Sequence, residues 1–296
     1  MNYQDRINAA LKFGLLVDNI KQDDQLHRVA TQLKPKGKNG WYISYDSLLI
    51  MGDWQTGITE LFKPNGHQQT TQDKQRIKQS IERHRQEKEA LQRLTATYAS
   101  QTYQNASEAI IHPYLTFKGL CNADGLKMVR EQLLVPLFDI TNGKVENLQK
   151  IYPDGSKRFL KNGRITGLCC PCGVLNIQSE WPEQLAQVFI CEGYATAASV
   201  YQMTQQPVLA AMNAGNLLPV GKAVKAKWPN AEIVFAGDDD YLTEQKTGIN
   251  TGRVKALEAA NAIGAKVSFP PFTPEHKRAG LSDWNDHYIT TSREVA

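Results

Sequence analysis

Histidine and cysteine are scarce in this 296-residue sequence, with six of the first and five of the second. Cys169-Cys170-Pro171-Cys172 has no second Cys or His pair elsewhere, so the two separated ligand pairs of a structural zinc site are missing. No zinc is expected, and the thiols read as reduced groups beside a strand and turn. No apolar run approaches the roughly 20 residues that cross a bilayer. Met1-Asn2-Tyr3-Gln4-Asp5-Arg6 does not open a charged and then apolar leader. No membrane partner is therefore expected, and the cytoplasm is the expected compartment. The sequence also lacks a Gly-x-x-x-x-Gly-Lys-Ser/Thr loop, which excludes a nucleotide-driven motor of that type within it.

What is present is an ordinary globular balance, 41% hydrophobic and 22% charged, with a formal net charge of +4. A mildly basic total permits a nucleic-acid partner without demanding one. The length predicts two or three compact units. Ile7, Leu11 and Leu15 recur at helical spacing over residues 1–17. A basic turn, Lys34 to Gly40, precedes two strands of a meander, Trp41–Tyr45 and Leu48–Met51. Residues 1–66 therefore read as a small α+β unit. Lys36, Lys38, Trp41 and Trp54 are its candidate DNA-binding residues, since aromatics stack bases and lysines meet phosphate. The competing reading is that both indoles fill a small core. Residues 67–106, without Pro or Gly from Thr71 to Ser100, read as a charged helical connector. Residues 107–181 read as a basic α+β subdomain: strands Leu133–Ile140 and Asn147–Tyr152 flank the Asn142-Gly143 turn. Lys157, Arg158, Lys161 and Arg164 follow, gathered around Phe159. Cations on a hairpin are held firmly enough to meet phosphate, or they simply decorate a surface tip.

Residues 182–296 alternate short apolar runs with Ala-rich helical stretches, the pattern of a parallel sheet flanked by helices. Two runs end abruptly in acid: Val188–Cys191 before Glu192, and Ile233–Ala236 before Gly237-Asp238-Asp239-Asp240. Open α/β sheets place their sites at the carboxyl ends of strands. Carboxylates from two such ends form a hard oxygen cluster suited to Mg²⁺, or are two unrelated strand ends with solvated loop acids. Asp283 and Asp286 bring acids to the edge again near the C-terminus. The overall class is α/β: a C-terminal parallel sheet preceded by a mixed subdomain, a long helix and a small N-terminal unit.

The stretches CEGYATAASV, AAMNAGNLLPVGKAVKAKWPNAEIVFAGDDD and LSDWNDHY resemble the TOPRIM domain shared by bacterial-type primases, topoisomerases and some nucleases. Their wording is similar to phage- and plasmid-encoded primases, as is His112-Pro113-Tyr114-Leu115. The resemblance implies a DNA primase that makes short primers on single-stranded DNA by metal-dependent nucleotidyl transfer. It implies Glu192 as acid/base or as support of the metal site. It implies Asp238 and Asp240 as ligands of Mg²⁺ or Mn²⁺, with Asp239 pointing elsewhere, and Asp283 and Asp286 at a second metal or an outer shell. Lys157, Arg158, Lys161 and Arg164 would hold nucleotide or template, and Lys246 and Arg253 are weaker candidates for the triphosphate. Many primases of this group carry an N-terminal zinc ribbon; residues 1–66 have no ligand set for one and look like a metal-free substitute or a ribbon that has lost its ligands. The implied partners are single-stranded DNA, nucleoside triphosphates and a separately encoded helicase or replication protein of a mobile element. A TOPRIM nuclease using the same acids, and a non-catalytic DNA-binding accessory, remain as alternatives.

Overall fold

The computed structural model describes residues 3–54, 56–63, 71–120, 123, 125–173 and 181–294, in two compact units, Met1–Lys88 and Glu89–Ala296. In the first, α1 (Tyr3–Phe13) packs on an antiparallel meander whose spatial order follows the chain. Its strands are β1 (Leu15–Leu16), β2 (Leu26–Thr31), β3 (Gly40–Ser44), β4 (Leu49–Asp53) and β5 (Thr59–Phe62). The expected helix to Val17 stops early because Gly14 sits at φ 101°, a conformation that breaks the helix and suits glycine. Leu15 enters a strand instead and fills the core with Ile7, Ala10, Tyr42, Leu49 and Met51. Arg6 is buried and donates to the carbonyls of Tyr45 and Asp46 at 2.5 and 2.7 Å and to the Ser44 hydroxyl. A buried cation is tolerable here because both terminal nitrogens of its guanidinium meet partners at the end of β3 and in the turn that follows, while Nε has none among the described residues.

The long helix α2 (Thr71–Asn105) starts in the first unit and ends in the second, within the expected connector of residues 67–106. Its last turns bury Ala99 and Tyr103 against Leu134, Phe138, Val145 and Leu148.

The second unit continues with β6 (Ser107–Glu108), α3 (Pro113–Phe117), β7 (Lys127–Val129), β8 (Gln132–Asp139), β9 (Val145–Ile151), β10 (Lys157–Phe159) and β11 (Leu168–Cys172). Next come β12 (Gln187–Cys191), α4 (Tyr194–Thr204), β13 (Val208–Ala210), α5 (Leu217–Lys227) and β14 (Glu232–Ala236). It closes with α6 (Tyr241–Thr247), α7 (Thr251–Ile263), β15 (Lys266–Ser268), α8 (Pro274–Arg278) and α9 (Trp284–Glu294). The main order is β10-β9-β8-β11-β13-β12-β14-β15, with β6 and β7 joining beside β8. The part from β13 to β15 is parallel, and β11 pairs antiparallel with both β8 and β13. β11 thereby joins the antiparallel strands and the parallel strands into one continuous sheet. Cys169, Cys170, Cys172 and Cys191 are buried, and burial pushes the Cys169, Cys170 and Cys191 thiols up, which keeps them inert. Cys121 lies outside the described residues.

Asn216 precedes α5 but makes no side-chain cap. Its amide instead donates to the carbonyls of Ile165, Leu168 and Ala211 at 3.1, 2.9 and 2.7 Å and accepts from Gly167 N at 2.7 Å, tying the ends of β11 and β13 together. The stretch after Asp240 contains α6, which ends on Gly248 in the left-handed region. α9 packs against α4, and buried Asn285 donates to Ser199 Oγ and the Lys118 carbonyl at 2.9 and 2.8 Å.

Candidate active site

In the parallel sheet Cys191 pairs with Ala236. That register sends Glu192 and Gly237-Asp238 out at the same edge. Gly237 and Gly252 allow close approach: a Cβ at Gly252 would meet the backbone of Asp238 at 2.7 Å. The third acidic segment arrives through the Asp239 N–H, which donates to the Ser282 carbonyl at 2.7 Å. Asp283 and Asp286 then begin α9 and share backbone donors. Asp286 N donates to Asp283 Oδ1 at 2.8 Å, and Ser282 N to Asp286 Oδ2 at 2.9 Å.

The charges register one another. Burial raises the Glu192 carboxyl above its ordinary value, and Asp240 and Asp283 raise it further, against the Ala214 N–H and Lys157. Burial also raises Asp238, reinforced by Glu192, Asp283, Asp240 and Asp286. Asp283 is raised by burial and by Asp286, with Lys118 opposing. The structure thus brings together Glu192, Asp238, Asp240, Asp283 and Asp286.

Asp239 points away from this cluster. It is 2% exposed, pairs with Lys277 at 2.8 Å and Arg253 at 3.3 Å, and accepts from Asn250 Nδ2 at 2.8 Å. Burial alone would raise its carboxyl; the hydrogen bonds from Lys277 and Asn250 and the two cations hold it below the usual range. Asn250 also accepts from the N–H groups of Asp240 and Arg253 at 3.0 and 3.2 Å, while Asp240 Oδ2 accepts from Gly252 N at 2.8 Å. One buried amide therefore fixes both Asp239 and Asp240.

The cations separate. Lys157 faces the acids: burial lowers its pKa while Asp283 and Glu192 pull it back up, and its Nζ lies 4.8 Å from the Tyr114 ring centroid. Arg158 alternates to the other face of β10, near Asp154. Lys161 is exposed in the following turn, where its carbonyl accepts from Thr95 Oγ1 at 3.3 Å. Arg164 is engaged elsewhere: its guanidinium pairs with Glu146 at 2.6 Å and with Asp139. Of the four cations expected to hold nucleotide or template, Lys157 faces the acids, strand alternation turns Arg158 to the other face, and an ion-pair network engages Arg164. Arg253 is likewise turned to Asp239 and stacked 4.1 Å from the Phe269 ring centroid, and Lys246 is exposed on α6. Sequence reasoning assigned no role to Lys118, Tyr114, Lys277 or Asn250. Asn250 was legible as a helix cap, with Asn two residues before glycine at a helix start; the others depend on tertiary approach.

Among the described residues no group of three or more His, Cys, Asp or Glu side chains is placed to hold a metal ion by itself. An open site nonetheless fits Mg²⁺, which keeps several waters and takes only one or two carboxylates. Asp238 Oδ1 supports that fit, being buried with no hydrogen-bond partner among the described residues. A buried acceptor left so, amid like charges, is what a cation relieves.

In the N-terminal unit Trp41 and Trp54 stack with centroids 6.0 Å apart, Trp54 stays half exposed, and neither belongs to that unit's core. Lys36 and Lys38 are exposed in the adjoining turn.

A family model described as Toprim domain matches residues 187–294, from the start of β12 to the end of α9. Two proteins named DNA primase TraC, from Escherichia coli, are each 33% identical to this chain. One aligns over 85% of this chain and 24% of its own length, the other over 87% and 18%. The chain thus spans about a quarter or less of the curated relatives it matches. Among solved structures, the primase fragment of the bacteriophage T7 primase-helicase protein covers 64% of this chain and 69% of its own, at 16% identity and TM-score 0.41. The DnaG primase catalytic domain bound to ssDNA covers 70% and 85%, at 12% identity and TM-score 0.40.

Proposed function

From a chain that carries a Toprim domain over residues 187–294, we propose a DNA primase that synthesises short primers on single-stranded DNA by divalent-metal-dependent nucleotidyl transfer. The observation that carries this reading is the convergence of Glu192, Asp238, Asp240 and Asp283 at the sheet's carboxyl edge with Lys157 facing them. The curated relatives, named as primases, support it.

In primer synthesis a 3′-hydroxyl attacks the α-phosphorus of an incoming nucleotide and pyrophosphate leaves. The obstacle is charge on phosphate, so positioned cations and a polar, fixed edge are what the reaction needs. Asp238 and Asp240 would hold Mg²⁺ or Mn²⁺, with Asp283 and Asp286 supporting from the outer shell or a second position. Bound there, the ion would neutralise charge on the reacting phosphate and favour the deprotonated nucleophile. Glu192, raised by burial and its acidic neighbours, is the group placed to take or return a proton. Lys157 supplies a point charge toward the phosphate, steadied by Tyr114. Asn250 and Gly252 keep Asp240 in place. Nucleoside triphosphates and a single-stranded template are the substrates, and a separately encoded helicase or replication protein of a phage, plasmid or other mobile element is the proposed partner.

The test is incorporation of labelled nucleotides on single-stranded DNA with Mg²⁺ or Mn²⁺. Template-dependent products from the wild type, absent with Glu192→Gln, support the reading. Cleavage of DNA without synthesis would transfer the same acids to a nuclease.

A further inference from the structure

β3 turns Tyr42 toward α1 and the core, so Trp41 lies on the opposite face. Across that face Arg28 pairs with Trp41, and Trp41 with Gly52. The glycine is needed there: a Cβ at position 52 would collide with the Trp41 indole. Its absence lets the ring lie across the strand. Trp54, just past β4, stacks on Trp41 at an interplanar angle of 30° and keeps 50% of its surface exposed. The Arg28 guanidinium sits 4.7 Å from the Trp54 ring centroid and donates to the Lys38 carbonyl at 2.9 and 3.2 Å. Arg28 thereby fastens the basic turn beside the indoles. Lys34, Lys36 and Lys38 are exposed there, and no ion pair engages them among the described residues. Residues 1–88 hold 14 Lys and Arg against 10 Asp and Glu, which accounts for the whole formal +4 of the chain.

A flat aromatic pair, a guanidinium over one ring and unpaired lysines alongside match what an unpaired strand offers, bases with open faces on a charged backbone. We propose that this face of the N-terminal unit is a binding platform for single-stranded DNA. A base stacks on the exposed part of Trp54, which Trp41 backs, and phosphates meet Lys36, Lys38 and Arg28. No metal enters, and none of the acidic-edge residues takes part, so this platform can fail while the primase reading stands, and the reverse.

Fluorescence anisotropy of the full chain with a labelled oligo(dT) reads it directly. Trp54→Ala should weaken binding about tenfold or more, within the range for losing a stacked base, while Trp54→Phe retains most of it. Lys36→Ala with Lys38→Ala should flatten the salt dependence by about 1.4 in logarithmic slope, for two single-strand phosphate contacts. This double variant touches no core residue, so it decides the matter even if Trp54→Ala disturbs folding. Unchanged oligo(dT) affinity and slope in these variants would overturn the proposal. So would duplex binding equal to that of the single strand, or a chain dimer that Trp54→Ala dissolves, since either assigns the face another occupant.

Discussion

Replacing Asn250 by alanine removes a buried amide that makes four hydrogen bonds, to Asp239, Glu244 and the N–H groups of Asp240 and Arg253. The two backbone bonds are worth about 1 kcal/mol each and the bond to the Asp239 carboxylate about 1.5–3 kcal/mol. Glu244 is only half-buried, and its share is small. With partial relaxation, the loss should be about 3 kcal/mol. Asn250→Asp should cost more, because it sets a third carboxylate against Asp239 and Glu244 while keeping the acceptor. Urea unfolding of the full chain, with hydrogen exchange followed over residues 238–254, separates this edge from the N-terminal unit. Below the unfolding transition, a loosened Asp240 should raise the Mg²⁺ concentration needed for half-maximal primer synthesis by roughly 10–100-fold, the usual cost of losing a group behind a metal ligand. A stability change under about 0.5 kcal/mol, the size of an ordinary surface substitution, with an unmoved Mg²⁺ requirement, would refute the positioning role.

Arg164→Met should cost about 1–3 kcal/mol at neutral pH by leaving Asp139 and Glu146 without their cation. Burial pushes Asp139 up, but Thr141 and Arg164 together hold it below its ordinary value; the pair's contribution is therefore complete above the unfolded carboxyl pKa of about 3.9 and fades as pH falls through the lower folded value. Thermal melts of wild type and variant should converge in that acid range, and equal separation at every pH would contradict the pairing. Lys157→Met should slow nucleotide incorporation on the order of a hundredfold, as for loss of one preorganised charge at a reacting centre. A matched assay of Arg158→Met should show a much smaller effect, because that side chain faces the other side of β10; equal losses would refute the orientation argument.

The parallel sheet was legible in the sequence because its signals are local. β12 and β14 are apolar runs that stop at acid, and with crossover helices between them they can emerge only at one edge. Gly14 was equally local, yet the Ile7–Leu11–Leu15 spacing outweighed it in the reading, and the structure favours the glycine. What sequence reasoning could not supply was the destination of long side chains. Arg158 and Arg164 sit within eight residues of Lys157, and strand alternation and the acids at 139 and 146 send all three different ways. Asn216 is a latch between strands that approach only in three dimensions, which no local signal announces. Lys118 and Lys277 reach the acidic edge from distant segments, with no motif to announce them.

The account rests on separate carboxylates sharing one divalent ion, and calorimetric titration of the full chain with Mn²⁺ measures that without reference to catalysis. The wild type should bind Mn²⁺, and Asp238→Asn should weaken binding at least tenfold, since it neutralises the buried carboxylate whose Oδ1 has no partner among the described residues. Mn²⁺ affinity equal in the two proteins, or no binding by the wild type in the presence of a nucleoside triphosphate, would contradict it.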